Sequence, residues 1–134
     1  MKESELQTKV ADYLRLQYPN VVFHSDYGSG VKLTVRQATI QKRQNGFRRG
    51  WPDMFIAEKS TLANGVTLFS GLFLELKREN TRLKKRNGEW VSDHIAEQAK
   101  IIEQLNERGY LATFAVGFDE AKEIIDKYLG GVRK

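Results

Sequence analysis

The sequence predicts an α/β fold, a central sheet covered by helices, on three observations. Two amphipathic helical segments, Glu3–Tyr18 and Asp93–Arg108, stand far apart in the chain. Short apolar runs of strand character lie between and after them. The two kinds of segment alternate in the order α-β-(α)-β-β-α-β-α, an order in which helices bury their apolar faces against a sheet. The 134 residues contain no repeat and no dividing linker, so the chain reads as one domain over 1–134.

Each element has a local cause. Leu6, Val10, Tyr13, Leu14 and Gln17 fall at helical spacing within Glu3–Tyr18. Tyr18-Pro19-Asn20 ends that helix, because proline cannot continue it and restricts the residue before it. Val21-Val22-Phe23 is β-branched and aromatic and reads as a strand, followed by a loop at Asp26-Tyr27-Gly28-Ser29-Gly30. Lys32–Gln44 reads as a polar, basic helix closed by Asn45-Gly46. Strands follow at Asp53–Ala57 and Leu72–Lys77, and the Ala63-Asn64-Gly65 turn lets them pair as a hairpin. Arg78–Val91 is a polar loop with a turn at Asn87-Gly88. Ser92-Asp93 caps the helix Asp93–Arg108, which Gly109 stops. Tyr110–Val116 is a buried-looking strand, Phe118–Leu129 a closing helix and Gly130–Lys134 a tail.

Composition excludes several classes. The chain has no cysteine, which removes disulfides, thiolate zinc sites and a cysteine nucleophile. No apolar run approaches the roughly 18 residues of a membrane span. Met1-Lys2-Glu3-Ser4-Glu5 is too polar and acidic for a signal peptide, so a soluble, intracellular protein is expected. The net charge of +5 is unevenly placed. Between Asp26 and Asp53 stand Lys32, Arg36, Lys42, Arg43, Arg48 and Arg49 with no acidic residue. From Lys77 to Glu89, six basic residues meet only two acidic ones. Such polarity suits a phosphate-binding face, although solvated basic loops would read the same way.

The chemistry lies on two strands. In Leu72–Lys77 side chains alternate between faces, so Leu72, Leu74 and Leu76 point one way and Phe73, Glu75 and Lys77 the other. Glu75 interrupts an apolar run, and an interior charge is costly unless paired or metal-bound. If Asp53 lies across from it in a hairpin, the two carboxylates repel unless a cation stands between them. Oxygen ligands select hard ions, so Mg²⁺ or Mn²⁺ is the expected cofactor. Lys77 is placed to act on the attacking water or on phosphate charge. Taken singly, Pro-Asp at a loop–strand junction and a Glu–Lys pair on a strand are ordinary structural features. Together, at the ends of consecutive apolar strands and followed by a basic segment, they indicate a site. His24 and His94, the only histidines, show no ligand-like spacing, and His24 reads as structural or exposed. Phe47 and Trp51 flank Arg48-Arg49 and suit either stacking on a nucleotide or core packing.

Pro52-Asp53 with Glu75-Leu76-Lys77 resembles the PD-(D/E)xK nuclease signature, and the wider texture resembles the VRR-NUC family within it. The supporting residues are Glu3-Ser4-Glu5-Leu6-Gln7, Gly50-Trp51-Pro52-Asp53, Phe73-Leu74-Glu75-Leu76-Lys77, and Gln98 before Leu105 and Gly109-Tyr110. The resemblance implies a restriction-endonuclease-like αβββαβ core with a mixed sheet. It also implies metal-dependent cleavage of DNA, selective for branched structures such as four-way (Holliday) junctions and performed by a homodimer. Under it, Asp53, Glu75 and the Leu76 carbonyl would hold the metal, Lys77 would serve the water and Gln98 would buttress the site. Glu3 is the choice for a carboxylate from the first helix, since it shares a face with Leu6, Val10 and Tyr13 while Glu5 lies opposite. Ser4-x-x-Gln7, however, resembles a capping box that would leave Glu3 outside the helix, so Glu5 stays open. From charge alone, Arg36, Arg43, Arg48, Arg49, Lys84, Lys85 and Arg86 are the expected DNA contacts. The competing readings are a non-catalytic nucleic-acid-binding module of the same fold and a sequence-specific restriction-type nuclease.

Overall fold

The computed structural model describes residues 1–26, 33–44 and 50–130. In chain order the elements are α1 (Glu3–Gln17), β1 (Phe23–Ser25), α2 (Val35–Gln44), β2 (Met54–Ile56), β3 (Ser60–Thr61), β4 (Thr67–Phe69), β5 (Leu72–Lys77), α3 (Asp93–Glu107), β6 (Leu111–Val116) and α4 (Phe118–Tyr128). The main sheet has the order β1-β2-β5-β6, antiparallel as far as β5 and parallel between β5 and β6. A parallel neighbour requires a crossover, and α3 supplies it.

The alternation read in β5 decides the layers. Leu72, Leu74 and Leu76 join Leu6, Val10 and Leu14 of α1 and Ala121 and Ile125 of α4 in one core. Phe73 joins Ile101 and Leu105 of α3 and Ala112 of β6 in a second core on the other face. Because helices cover both faces, every residue of β5 is buried. Tyr13 and Tyr18 of the α1 end both donate to Asp126 Oδ1 of α4, at 2.6 and 2.8 Å. This clamp holds α1, and with it Glu3, over the sheet.

Several sequence expectations shift. β2 and β5 do pair antiparallel, but Ala63-Asn64-Gly65 closes a separate two-stranded hairpin, β3–β4, inserted between them. The first strand lies two residues later than Val21–Phe23, because Val21 packs into the core before pairing begins. Helix α1 starts at Glu3 with no side-chain cap. The Ser4–Gln7 box does not form. The Gln7 amide instead donates to Ser25 Oγ at 2.6 Å and to the Asp26 carbonyl, tying α1 to the end of β1. A reciprocal capping box forms at α2, where Thr34 Oγ1 accepts from Gln37 N and Gln37 Oε1 from Thr34 N. The predicted start at Lys32 and stop at Asn45-Gly46 of that helix fall outside the described residues. Among these, α2 buries none.

Arg78–Val91 is no open loop. Lys84 bridges Trp90, Lys85 N donates to Glu89 O at 2.7 Å, and Val91 N donates to Leu83 O at 2.9 Å. Gly88 takes φ +89° at the turn, so Asn87-Gly88 closes a tight finger. Trp90 anchors it on Phe114 of β6, with ring centroids 5.8 Å apart.

The outer edge of β6 is sealed by side chains. Asn106 donates to the Ala112 carbonyl at 3.1 Å and accepts from the Ala112 amide at 2.8 Å. Glu120 Oε2 accepts from Val116 N at 3.0 Å. Among the described residues, no helix is long and apolar enough to cross a membrane.

The tyrosine clamp gives the fold a checkable weak point. Asp126→Ala should lower unfolding free energy by about 2–3 kcal/mol in urea melts, since it removes hydrogen bonds to a charged acceptor. Asp126→Asn, which keeps an accepting oxygen, should cost about half of that or less.

Candidate active site

The register brings the predicted carboxylates together. Met54 pairs with Leu74, so one step beyond, at the end of β2, Asp53 stands opposite Glu75. Asp53 Oδ2 accepts a 2.9 Å hydrogen bond from Leu76 N. In extended backbone a residue's N–H and C=O point to the same side, so the Leu76 carbonyl faces the same space beyond the end of β2. Lys77 Nζ lies 3.6 Å from Glu75 Oε2. Glu75 and Lys77 are only 3% and 5% exposed.

Burial has an electrostatic consequence. The Glu75 carboxyl is pushed up to about 9 from its ordinary 4.5, first by desolvation and then by the charge and hydrogen bonding of Asp53. Lys77 opposes the shift and Glu3 adds to it. Glu75 Oε1 is buried with no hydrogen-bond partner among the described residues. A divalent cation fits this arrangement: it would give the orphaned oxygen a partner and relieve the carboxylate repulsion, and every donor is oxygen. Asp53, Glu75 and the Leu76 carbonyl are the groups that could hold it. Among the described residues, no three Asp, Glu, His or Cys side chains gather as a metal-holding group. Glu3, at the start of α1, is half-buried and acts on Glu75 through its charge, whereas Glu5 is exposed.

Gln98 lies on the α3 face that also carries Ile101 and Leu105 toward the sheet, and it is 5% exposed. Its Oε1 likewise has no hydrogen-bond partner among the described residues. Trp51 is half-exposed and meets Phe73 edge-on at 5.5 Å, so it packs on the sheet. His24 is exposed, on β1. Arg36 and Arg43 sit on the exposed helix α2, and Lys85 and Arg86 at the finger tip are exposed. Lys84 lies with its ammonium 4.7 Å from the Trp90 ring, a cation–π contact that holds it against the finger. Phe47, Arg48 and Arg49 fall outside the described residues.

Gly50 is a participant that the motif contained but whose role it did not explain. It has φ +84°, and a Cβ there would stand 3.1 Å from the backbone of Glu97 and Gln98. Only glycine lets the chain pass this close to α3 before turning into Trp51-Pro52-Asp53. The signal was available: a glycine three residues before a candidate metal ligand.

No family profile and no curated protein matches the chain. A solved structure described as a "VRR_NUC domain protein" is similar to it with a TM-score of 0.68 at 22% sequence identity, over 99% of this chain and 92% of that one. The two share a fold. The core order α1-β1-β2-β5-α3-β6 is the expected αβββαβ, around a mixed sheet.

Four outcomes test this geometry. Between pH 4.5 and 9 folded Glu75 holds a proton that the unfolded chain releases, so metal-free stability should fall as pH rises through that window. Glu75→Gln should flatten the fall and melt higher than the parent at pH 8. Mn²⁺ should raise the melting temperature of the parent but not of Glu75→Gln or Asp53→Asn. Separately, Gly50→Ala should cost about 1–3 kcal/mol in chemical denaturation, since it combines φ > 0 with a close backbone contact.

Proposed function

We propose that this chain is a VRR-NUC-type nuclease that hydrolyses DNA phosphodiester bonds with Mg²⁺ or Mn²⁺. The observation that carries the reading is half-buried Asp53 opposite buried Glu75, with Lys77 Nζ 3.6 Å from Glu75. A purely structural role would leave two facing carboxylates and a buried oxygen uncompensated. The fold shared with a "VRR_NUC domain protein" supports the reading at the level of the fold.

In this mechanism Asp53, Glu75 and the Leu76 carbonyl hold the cation, which when bound supplies Lewis acidity at the phosphate. Lys77, fixed by Glu75, holds and orients the water that attacks phosphorus. Its charge also offsets the charge that builds on the phosphoryl oxygens in the transition state. Gln98 supports the same pocket from α3, and Glu3 adds negative charge from α1. DNA reaches the site along the finger and α2. Lys85 and Arg86, at the tip of a finger that begins a few residues after Lys77, contact backbone phosphates, as do Arg36 and Arg43. Such contacts do not read bases, so selectivity comes from DNA shape, and a branched substrate cut by a homodimer is the form we favour.

Four-way-junction, flap and linear duplex DNAs incubated with Mg²⁺, Mn²⁺ or EDTA test the proposal. Cleavage should need a divalent ion, favour branched DNA, and fall at least about 100-fold in Asp53→Ala and Lys77→Ala. Metal-independent cutting or undiminished variants would overturn the mechanism, and binding without cutting would make the protein a binding module. Lys85→Ala/Arg86→Ala should weaken binding of all DNAs alike and lower the slope of log K against log salt by about 1–2.

A further inference from the structure

The active face of the sheet extends one strand beyond the carboxylate pair. Cross-strand partners project to the same face, and the register places Ser25 against Met54 and Met54 against Leu74. The next row is therefore Asp26, Asp53 and Glu75, across β1, β2 and β5. A 2.8 Å hydrogen bond from Asp26 N to Asp53 O ties the first two together. His24 lies two residues before Asp26, in the row of Phe55 and Phe73, so it faces the same side. Its Nε2 is 3.1 Å from Asp26 Oδ1, and the two side chains are 75% and 48% exposed.

An exposed pair of this kind adds little to stability, about 0–1 kcal/mol, so folding gives it no strong reason to be there. Its place does. The carboxylate occupies one ring nitrogen and fixes the ring's orientation, leaving Nδ1 for another partner. His24 is exposed on β1, the edge strand of the face that carries Asp53, Glu75 and Lys77. We propose that His24 is a substrate-contacting residue that, as the imidazolium with Nε2–H held by Asp26, donates from Nδ1–H to a DNA backbone phosphate beside the scissile one, with Asp26 as its positioning residue. β1 lies two strand spacings, about 10 Å, from β5. At a rise of about 3.4 Å per nucleotide, the phosphate touched is about one to three nucleotides from the cut. The inference rests on the nuclease reading and adds a residue to the same site.

Steady-state cleavage of a labelled four-way junction with Mn²⁺ tests it, using His24→Ala, Asp26→Asn and the double variant. His24→Ala should lower kcat/KM by about tenfold or more through KM, with kcat within about twofold and the melting temperature unchanged. Asp26→Asn should cost less than His24→Ala and add nothing in the double variant, a coupling that an independent surface role would not show. Substrates with one neutral methylphosphonate at each of the three positions on either side of the cut locate the contact. The His24→Ala penalty should vanish at one position. Normal kinetics for His24→Ala, or a penalty that persists at every position, would overturn the proposal while leaving the nuclease reading intact. Failure of the parent to cut any DNA with any divalent ion would overturn both.

Discussion

A carboxylate held in the dry interior of a central strand is the constraint around which this molecule is built. Glu75 occupies a position that the rest of β5 fills with leucine and phenylalanine, and the cost of its charge is several kcal/mol if nothing compensates. Its surroundings follow from that. Asp53 stands immediately before β2, so that a second carboxylate lies opposite. Lys77 follows on the same face and returns one positive charge, too little to balance two negative ones and a third at Glu3. Gln98 is buried on the sheet-facing side of helix α3, and Gly50 lets the approach to Asp53 pass against the backbone of that helix. A cation would relieve the arrangement, and without one burial and Asp53 push the Glu75 carboxyl well above the ordinary carboxylate range.

Much of this was legible in the sequence where the cause is local or periodic. The period-two pattern of Leu72–Lys77 assigned each residue of β5 to its correct face, and Ser92 capped α3 as its chemistry requires. What was not legible depends on partners distant in sequence. Ser4 and Gln7 have the spacing of a capping box, but Gln7 finds better acceptors at the end of β1, 18 and 19 residues away. The Ala63-Asn64-Gly65 turn was recognised as a turn, yet nothing local says that its flanks pair with each other rather than with the sheet. The β3–β4 hairpin interrupts the connection between β2 and β5, yet Asp53 and Glu75 still stand opposite because the two strands pair in that register. Arg78–Val91 looked like a loop because its residues are polar, whereas its order comes from a tryptophan resting on β6.

The finger changes how the chain's charge should be understood. A flexible basic loop would pay ordering entropy on meeting a polyanion, but this one is already closed by backbone hydrogen bonds. It lies a few residues after the lysine of the site, and Trp90 anchors it on Phe114 of β6, in the sheet that carries the acidic row. On the proposed reading, negative charge gathers where a cation would bind, and positive charge sits on an ordered scaffold where phosphates would arrive.

The sealed rim of β6 bears on how the protein behaves in company. Leu111–Val116 is the most aggregation-prone kind of segment, short, uncharged and rich in residues that favour strands. Asn106 and Glu120 lend it the hydrogen bonds that a neighbouring strand would otherwise offer. Another chain seeking to lengthen the sheet there must first break them, so growth into a continuous ribbon is opposed at that end by two side chains rather than by a covering element.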